Sequence, residues 1–136
     1  MKTHYVLEST NEIDFSVLAI NSHIKAYRLC WNLNKTLNID LEKNEDQKIT
    51  NRLFFSRYTH ITKDGFEYNV LVNRSKEGYL VPEYKSVNYF LILNTQKKIK
   101  KVIEKVKSIK EVLMVFELDI LKNPHLDRFI FNDKKN

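Results

Sequence analysis

The side chains that could carry out chemistry are few, and their spacing assembles no catalytic pattern. The four histidines, His4, His23, His60 and His125, lack metal-ligand spacing, and neither HExxH nor CxxC occurs. The single cysteine, Cys30, excludes an intrachain disulfide framework and any cysteine zinc cluster. Its place on an apolar helical arc suits an inert, packed thiol. No serine sits in GxSxG or SxxK. Glu117 and Asp119 share one side of an extended chain, so acid–base work is conceivable, but solvated edge positions are the simpler reading. Phosphate-cradling loops need clustered glycines, and Gly65 and Gly78 stand far apart. These residues predict a protein that is no enzyme, with no catalytic residues, metal or cofactor.

Charge is the feature with a direction. Residues 97–110 hold seven lysines (Lys97, Lys98, Lys100, Lys101, Lys105, Lys107 and Lys110) against one acid, Glu104, which equals the whole formal charge of +6. Abundant lysine and asparagine would also follow from an A- and T-rich genome. Yet Lys97, Lys98, Lys100 and Lys101 crowd the first turns of a predicted helix, where cations oppose the helix dipole. Such a face suits an anion: an acidic protein or a nucleic acid. Arginine supplies only 5 of 23 basic residues. There is no RNP motif, GXXG loop or zinc finger, and the expected strand register leaves mainly Tyr58 outward for stacking. Specific base reading is therefore not expected; sequence-blind phosphate contact is.

The elements that must position these lysines can be read from periodicity. The 136 residues, 43% hydrophobic and 12% aromatic, suit a single domain spanning 1–136. No apolar run is long enough to span a membrane and no signal-peptide core is seen, so a cytoplasmic location is expected. Tyr5–Leu7 reads as a short strand and Phe15–Ile20 as extended. A helix over about 22–37, capped by Ser22, has so wide an apolar arc that burial over most of its circumference is expected. Asn34 falls inside that arc and needs a hydrogen-bond partner. Ile39–Glu42 reads as a strand and Lys43–Lys48 as a loop. Leu53–Thr62 and Phe66–Asn73 flank Asp64-Gly65, the preferred pair for a two-residue type I′ turn, which sets Ile61 opposite Tyr68 and Arg57 opposite Val72. Tyr79–Lys85 is extended and broken by Pro82. Val87–Leu93 is a central strand, residues 96–110 an amphipathic helix, and Val112–Leu118 a further strand. Leu126, Phe129 and Ile130 anchor the tail. The fold class is α+β: one mainly antiparallel sheet of five to seven strands covered by two helices, ending in a strand–helix–strand unit. If its two strands are parallel, the crossover is right-handed. Free sheet edges allow a monomer or a homodimer.

The stretch Tyr79-Leu80-Val81-Pro82-Glu83-Tyr84-Lys85-Ser86-Val87-Asn88-Tyr89 resembles the signature of the IPExxxVDY family, small bacterial proteins without established activity. Pro82, Glu83, Val87 and Tyr89 match as they stand; Val81 replaces the first isoleucine and Asn88 the aspartate. A second stretch around Tyr27, Arg28, Trp31 and Asn34 is similar to that family's upstream helix. The resemblance carries over no activity. Through the genes that neighbour the family's, it implies acyl carrier protein as one candidate acidic partner. Read physically, Val81-Pro82 fixes an extended entry. Glu83 and Lys85 then share one side. A strand-entry corner is expected, with Glu83 pairing an arginine or capping backbone donors; a ligand site on Glu83, Lys85 and Asn88 is the alternative.

The sequence thus predicts a non-enzymatic binding or adaptor protein whose residues Lys97, Lys98, Lys100, Lys101 and Lys105 face an acidic partner protein. An RNA-associated protein using the same face is one alternative. A small-molecule-sensing regulatory domain is another, by fold analogy alone.

Overall fold

The computed structural model describes residues 14–131; the expected strand Tyr5–Leu7 and His4 lie outside them. In chain order the elements are β1 (Ser16–Asn21), α1 (Ala26–Leu37), β2 (Glu42–Thr50), β3 (Leu53–Ile61), β4 (Glu67–Val72), β5 (Arg74–Ser75), β6 (Gly78–Tyr79), β7 (Tyr89–Leu93), α2 (Ile99–Lys107) and β8 (Met114–Glu117). Six strands form one sheet in the order β2-β3-β4-β7-β1-β8, and every neighbouring pair is antiparallel. β5 and β6 make a separate two-stranded ribbon. This is the expected α+β architecture. Because β1 runs antiparallel to both β7 and β8, those two strands are parallel to each other, with β1 between them. α2 joins them, so the strand–helix–strand unit is split by the first strand described.

Both helices lie on one face of the sheet. Leu29, Cys30 and Leu33 of α1 and Val102 and Val106 of α2 pack on Leu18, Ile20, Val70, Leu91 and Val115. Burying one such side chain is worth about 1.5–3 kcal/mol. The opposite face carries Val17, Ala19, Phe55, Leu71 and Phe90. It is covered without a regular helix, by Leu80, Val81 and Val87 and by Leu126 and Phe129 of the tail. The expected tail anchors therefore hold for Leu126 and Phe129, whereas Ile130 is exposed. β7 is buried along its whole length, as its two apolar sides predict.

Several boundaries differ from expectation. The hairpin is slipped by one residue: Ile61 faces Glu67, His60 faces Tyr68 and Arg57 faces Leu71. Its loop is Lys63-Asp64-Gly65. Gly65 N–H reaches the Thr62 carbonyl at 3.0 Å, and Thr62 N–H reaches the Phe66 carbonyl at 2.8 Å. Gly65 sits at φ 88°, the left-handed residue of a three-residue loop with a glycine bulge. The slip moves Phe55 to the tail face and brings Tyr58 onto the helix face with Tyr68 and Val70. It also buries Arg57, whose Nε donates to Asn69 Oδ1 at 2.8 Å.

Residues 43–48 belong to β2 and not to a loop. An edge strand exposed on both sides needs no apolar alternation, and its pairing to β3 is interrupted twice. α1 begins after Lys25, not Ser22; the Ser22 hydroxyl donates to the Glu111 carbonyl at 2.8 Å, tying the chain ahead of α1 to the segment before β8. Asn38 ends α1 in the left-handed region at φ 59°. Asn34 has the partner it needs, accepting the Leu41 N–H at 2.7 Å. Pro82 opens a short 3-10 turn, Pro82–Tyr84, where an extended stretch was expected; its missing N–H costs nothing at that position.

Candidate binding interface on the helix layer

α2 is shorter than residues 96–110. Lys97 precedes it and Lys98 is its N-cap, leaving Lys100 and Lys101 in the first turn with no acidic residue beside them. Val102 and Val106 are buried, with Ile99 and Ile103 partly so, and this pins one side of the helix to the sheet. Lys97, Lys100, Lys101, Lys105, Lys107 and Lys110 are exposed. Among the described residues none of these lysines makes a salt bridge. Lys98 is different: it is half-buried, and its Nζ lies 3.7 Å from the centroid of the Phe66 ring. One of the five candidate lysines is thus held inside the fold.

α1 packs beside α2 on the same face and corrects the sequence reading. Its wide apolar arc is not all buried: Tyr27 is 67% and Trp31 54% exposed. Only Leu29, Cys30 and Leu33 are fully buried, because a helix on a sheet with one helical neighbour covers barely half its girth. Tyr27, Trp31 and Lys35 are spaced four apart, so they line one outer stripe. Lys35 Nζ lies 4.2 Å from the Trp31 ring centroid, and Arg28 is exposed beside them. Outward aromatics are therefore found on α1, while Tyr58, the expected outward ring, packs against the core on the helix side. The spacing of Tyr27 and Trp31 was visible in the sequence; the sign of their exposure was not.

The stretch Pro82–Tyr89 makes contacts within the fold. Val87 and Tyr89 are buried, and the Tyr89 hydroxyl donates to the Ile24 carbonyl. Asn88 Oδ1 accepts the Ser22 N–H at 2.8 Å, while its own N–H goes to the Ile20 carbonyl. Glu83 pairs with His125, Oε1 to Nε2 at 3.3 Å, and not with an arginine. Arg128 instead donates to the Leu80 carbonyl at 2.8 Å. Lys85 is exposed, 5.8 Å from the Tyr79 ring centroid. The turn at Pro82 breaks the extended geometry that would have aligned Glu83 with Lys85.

Chemical groups are not gathered. Among the described residues no three of His, Cys, Asp and Glu come together to hold a metal ion. Cys30 is buried, and burial pushes its thiol from 9.0 up to about 12. Glu117 ends β8, and Asp119 lies beyond it, 3.9 Å from Lys122 on the surface. No described helix is long and apolar enough to cross a membrane. No protein-family model matches the chain, and no curated protein matches it. The candidate interface is therefore read from its own geometry: exposed lysines on α2 that make no salt bridge among the described residues, and two exposed aromatics on the adjoining helix α1.

Proposed function

We propose that this is a non-enzymatic binding or adaptor protein that meets an acidic partner protein with the outer surface of α1 and α2. The observation that carries the reading is the exposed lysine row on α2, where Glu104 is the single acid and no lysine makes a salt bridge among the described residues. Fixed positive charge of this kind speeds encounter with an acidic surface and sets orientation. Tyr27, Arg28 and Trp31 supply the residue types that dominate binding energy once an interface is dry. A helix of lysines alone would give weak, salt-sensitive contact; the neighbouring aromatics give a partner something apolar to bury. The likeness of Pro82–Tyr89 to the IPExxxVDY signature is in keeping with a small bacterial protein of the cytoplasm, and acyl carrier protein fits the required acidity.

The exposed ring of Trp31 also favours a second reading, contact with single-stranded RNA, since bases stack on open aromatic faces beside cations. Lys35 already covers one face of that ring, which is why the protein reading ranks first.

The test is recovery of partners from lysate with and without nuclease. It uses the wild-type chain and a variant with Lys97, Lys100, Lys101 and Lys105 all replaced by Gln, Lys98 being kept. An acidic protein recovered regardless of nuclease, and lost with the variant, supports the first reading. Nuclease-sensitive recovery supports the second. Unchanged recovery with the variant sinks both.

A further inference from the structure

Resting on the reading that α2 meets an acidic protein, we infer that the partner docks as an extended segment along the outer edge of β8, which no described strand covers, adding a strand beside the lysines.

The two edges of the sheet are built differently. β2 carries Glu42, Lys43, Glu45, Asp46 and Lys48, and its pairing is irregular at Asn44/Gln47 and Lys48/Thr50. Charges and bulges of this kind keep an edge from being extended. β8 reads Met114-Val115-Phe116-Glu117, has no lysine or proline, and pairs with β1 in unbroken register. Among the described residues no strand lies on its far side. Leu113 and Met114 beside that edge are both exposed.

The backbone phase can be read directly. Leu118 donates its N–H to the Val17 carbonyl at 2.8 Å, so it belongs to a hydrogen-bonded pair with β1. Alternation along an antiparallel ladder then turns the main-chain groups of Val115 and Glu117 away from β1, toward the open edge. Side chains alternate too: Val115 packs under the helices and Phe116 on the tail face.

The lysines fall on the matching side. Lys98 reaches Phe66, which precedes β4, so that flank of α2 faces the middle of the sheet. At about 100° per residue, Lys100 and Lys107 lie on the opposite flank, toward β8. An incoming strand would meet Lys100 and Lys107 on its helix side, with Glu104 one turn from each, and Met114 and Phe116 on its other side. It should therefore alternate acidic and apolar residues. Charge also argues against a second copy as the occupant, because pairing β8 with β8 would bring two lysine helices together in chains of formal charge +6 each. β8 is only four residues long, so main-chain bonds and lysines must act together.

The probe is a fluorescein-labelled peptide of alternating Glu and Val, with poly-L-glutamate as the charge control, followed by fluorescence anisotropy at low salt. Glu117→Pro removes an outward N–H without touching the ladder to β1, and Glu117→Gln removes only the charge. Expected results are a peptide affinity at least tenfold weaker for Glu117→Pro than for Glu117→Gln, with poly-L-glutamate binding the two alike. Slowed hydrogen exchange at the amides of Val115 and Glu117 in the wild-type complex is the companion readout, and it depends on no variant folding. Equal peptide affinity in the two folded variants, unprotected amides at saturation, or no peptide binding at low salt overturns the inference. So does a concentration-dependent dimer abolished by Glu117→Pro, which would assign the edge to a second copy. Replacing Lys100 and Lys107 by Gln weakens both probes if the acidic-partner reading holds; if neither probe weakens, that reading fails whatever the edge does.

Discussion

The ammonium of Lys98 stands over the face of Phe66, 3.7 Å from the ring centroid, and so joins the start of α2 to the start of β4. A cation–π contact at a half-buried site is worth about 0.5–2 kcal/mol. Lys98→Ala and Phe66→Leu should each lower stability by that order, and the double variant should lose less than the sum. Urea denaturation of the four chains checks this. Lys101→Ala should leave the midpoint where it was.

Lys100 and Lys101 lie at the end of α2 where the dipole is positive. Lys100→Glu should raise stability at low salt by about 0.3–1 kcal/mol, and the gain should fade as salt rises. The same change should weaken binding of an acidic probe. A thermal melt at two ionic strengths beside a binding curve would reveal both effects; no gain at low salt would mean the dipole argument is misplaced.

Asn73 is fully buried and ties the Pro82 corner to the sheet. Its Nδ2 donates to the carbonyls of Tyr84 and Val87 at 3.0 and 2.9 Å, and its Oδ1 accepts the Val81 N–H at 2.9 Å. Asn73→Ala strands the Val87 carbonyl and the Val81 N–H, while the Tyr84 carbonyl keeps the Val87 N–H at 3.0 Å, and should cost about 2 kcal/mol or more, at roughly 1–3 kcal/mol for each unmet group. Exposed Glu83→Ala should cost under about 1 kcal/mol. Equal losses from the two changes would contradict the assignment of Asn73 as the tie.

The buried thiol of Cys30 sets a pH dependence. Burial raises its pKa from 9.0 to about 12 in the folded chain, so between those values the folded state holds a proton that the unfolded state has released. Its contribution is complete below about pH 9 and disappears as the pH climbs toward 12. The hydroxyls of Tyr58, Tyr68 and Tyr89, also raised by burial, act in the same direction above pH 10. Stability measured in urea should fall across that range, less steeply for Cys30→Ala. An aromatic disulfide reagent should label Cys30 only upon unfolding.

The sheet class, both helices, the central place of β7 and the inner face of α2 were legible because each rests on a periodicity that a core enforces. The hairpin register was not. β4 has apolar residues buried on both sides, so its pattern is equally content with either phase. The deciding contact, buried Arg57 on Asn69, is one that residue type argues against. β2 was missed for the opposite reason: an edge strand in water needs only its backbone. Of the candidate interface, the lysine row followed directly from composition and spacing. The exposure of Tyr27 and Trp31 depends on how the helices pack on the sheet, which no local pattern encodes.

β1 has a consequence for synthesis. Val17, Leu18, Ala19 and Ile20 have no exposed surface in the finished fold, and their partners are β7 and β8 near the far end of the chain. Emerging from the ribosome, this buried strand waits through α1 and the five strands after it before either neighbour exists. Pairings so distant in sequence form slowly and leave adhesive surface uncovered meanwhile. A chain cut short after β4 would lack both strands that flank β1.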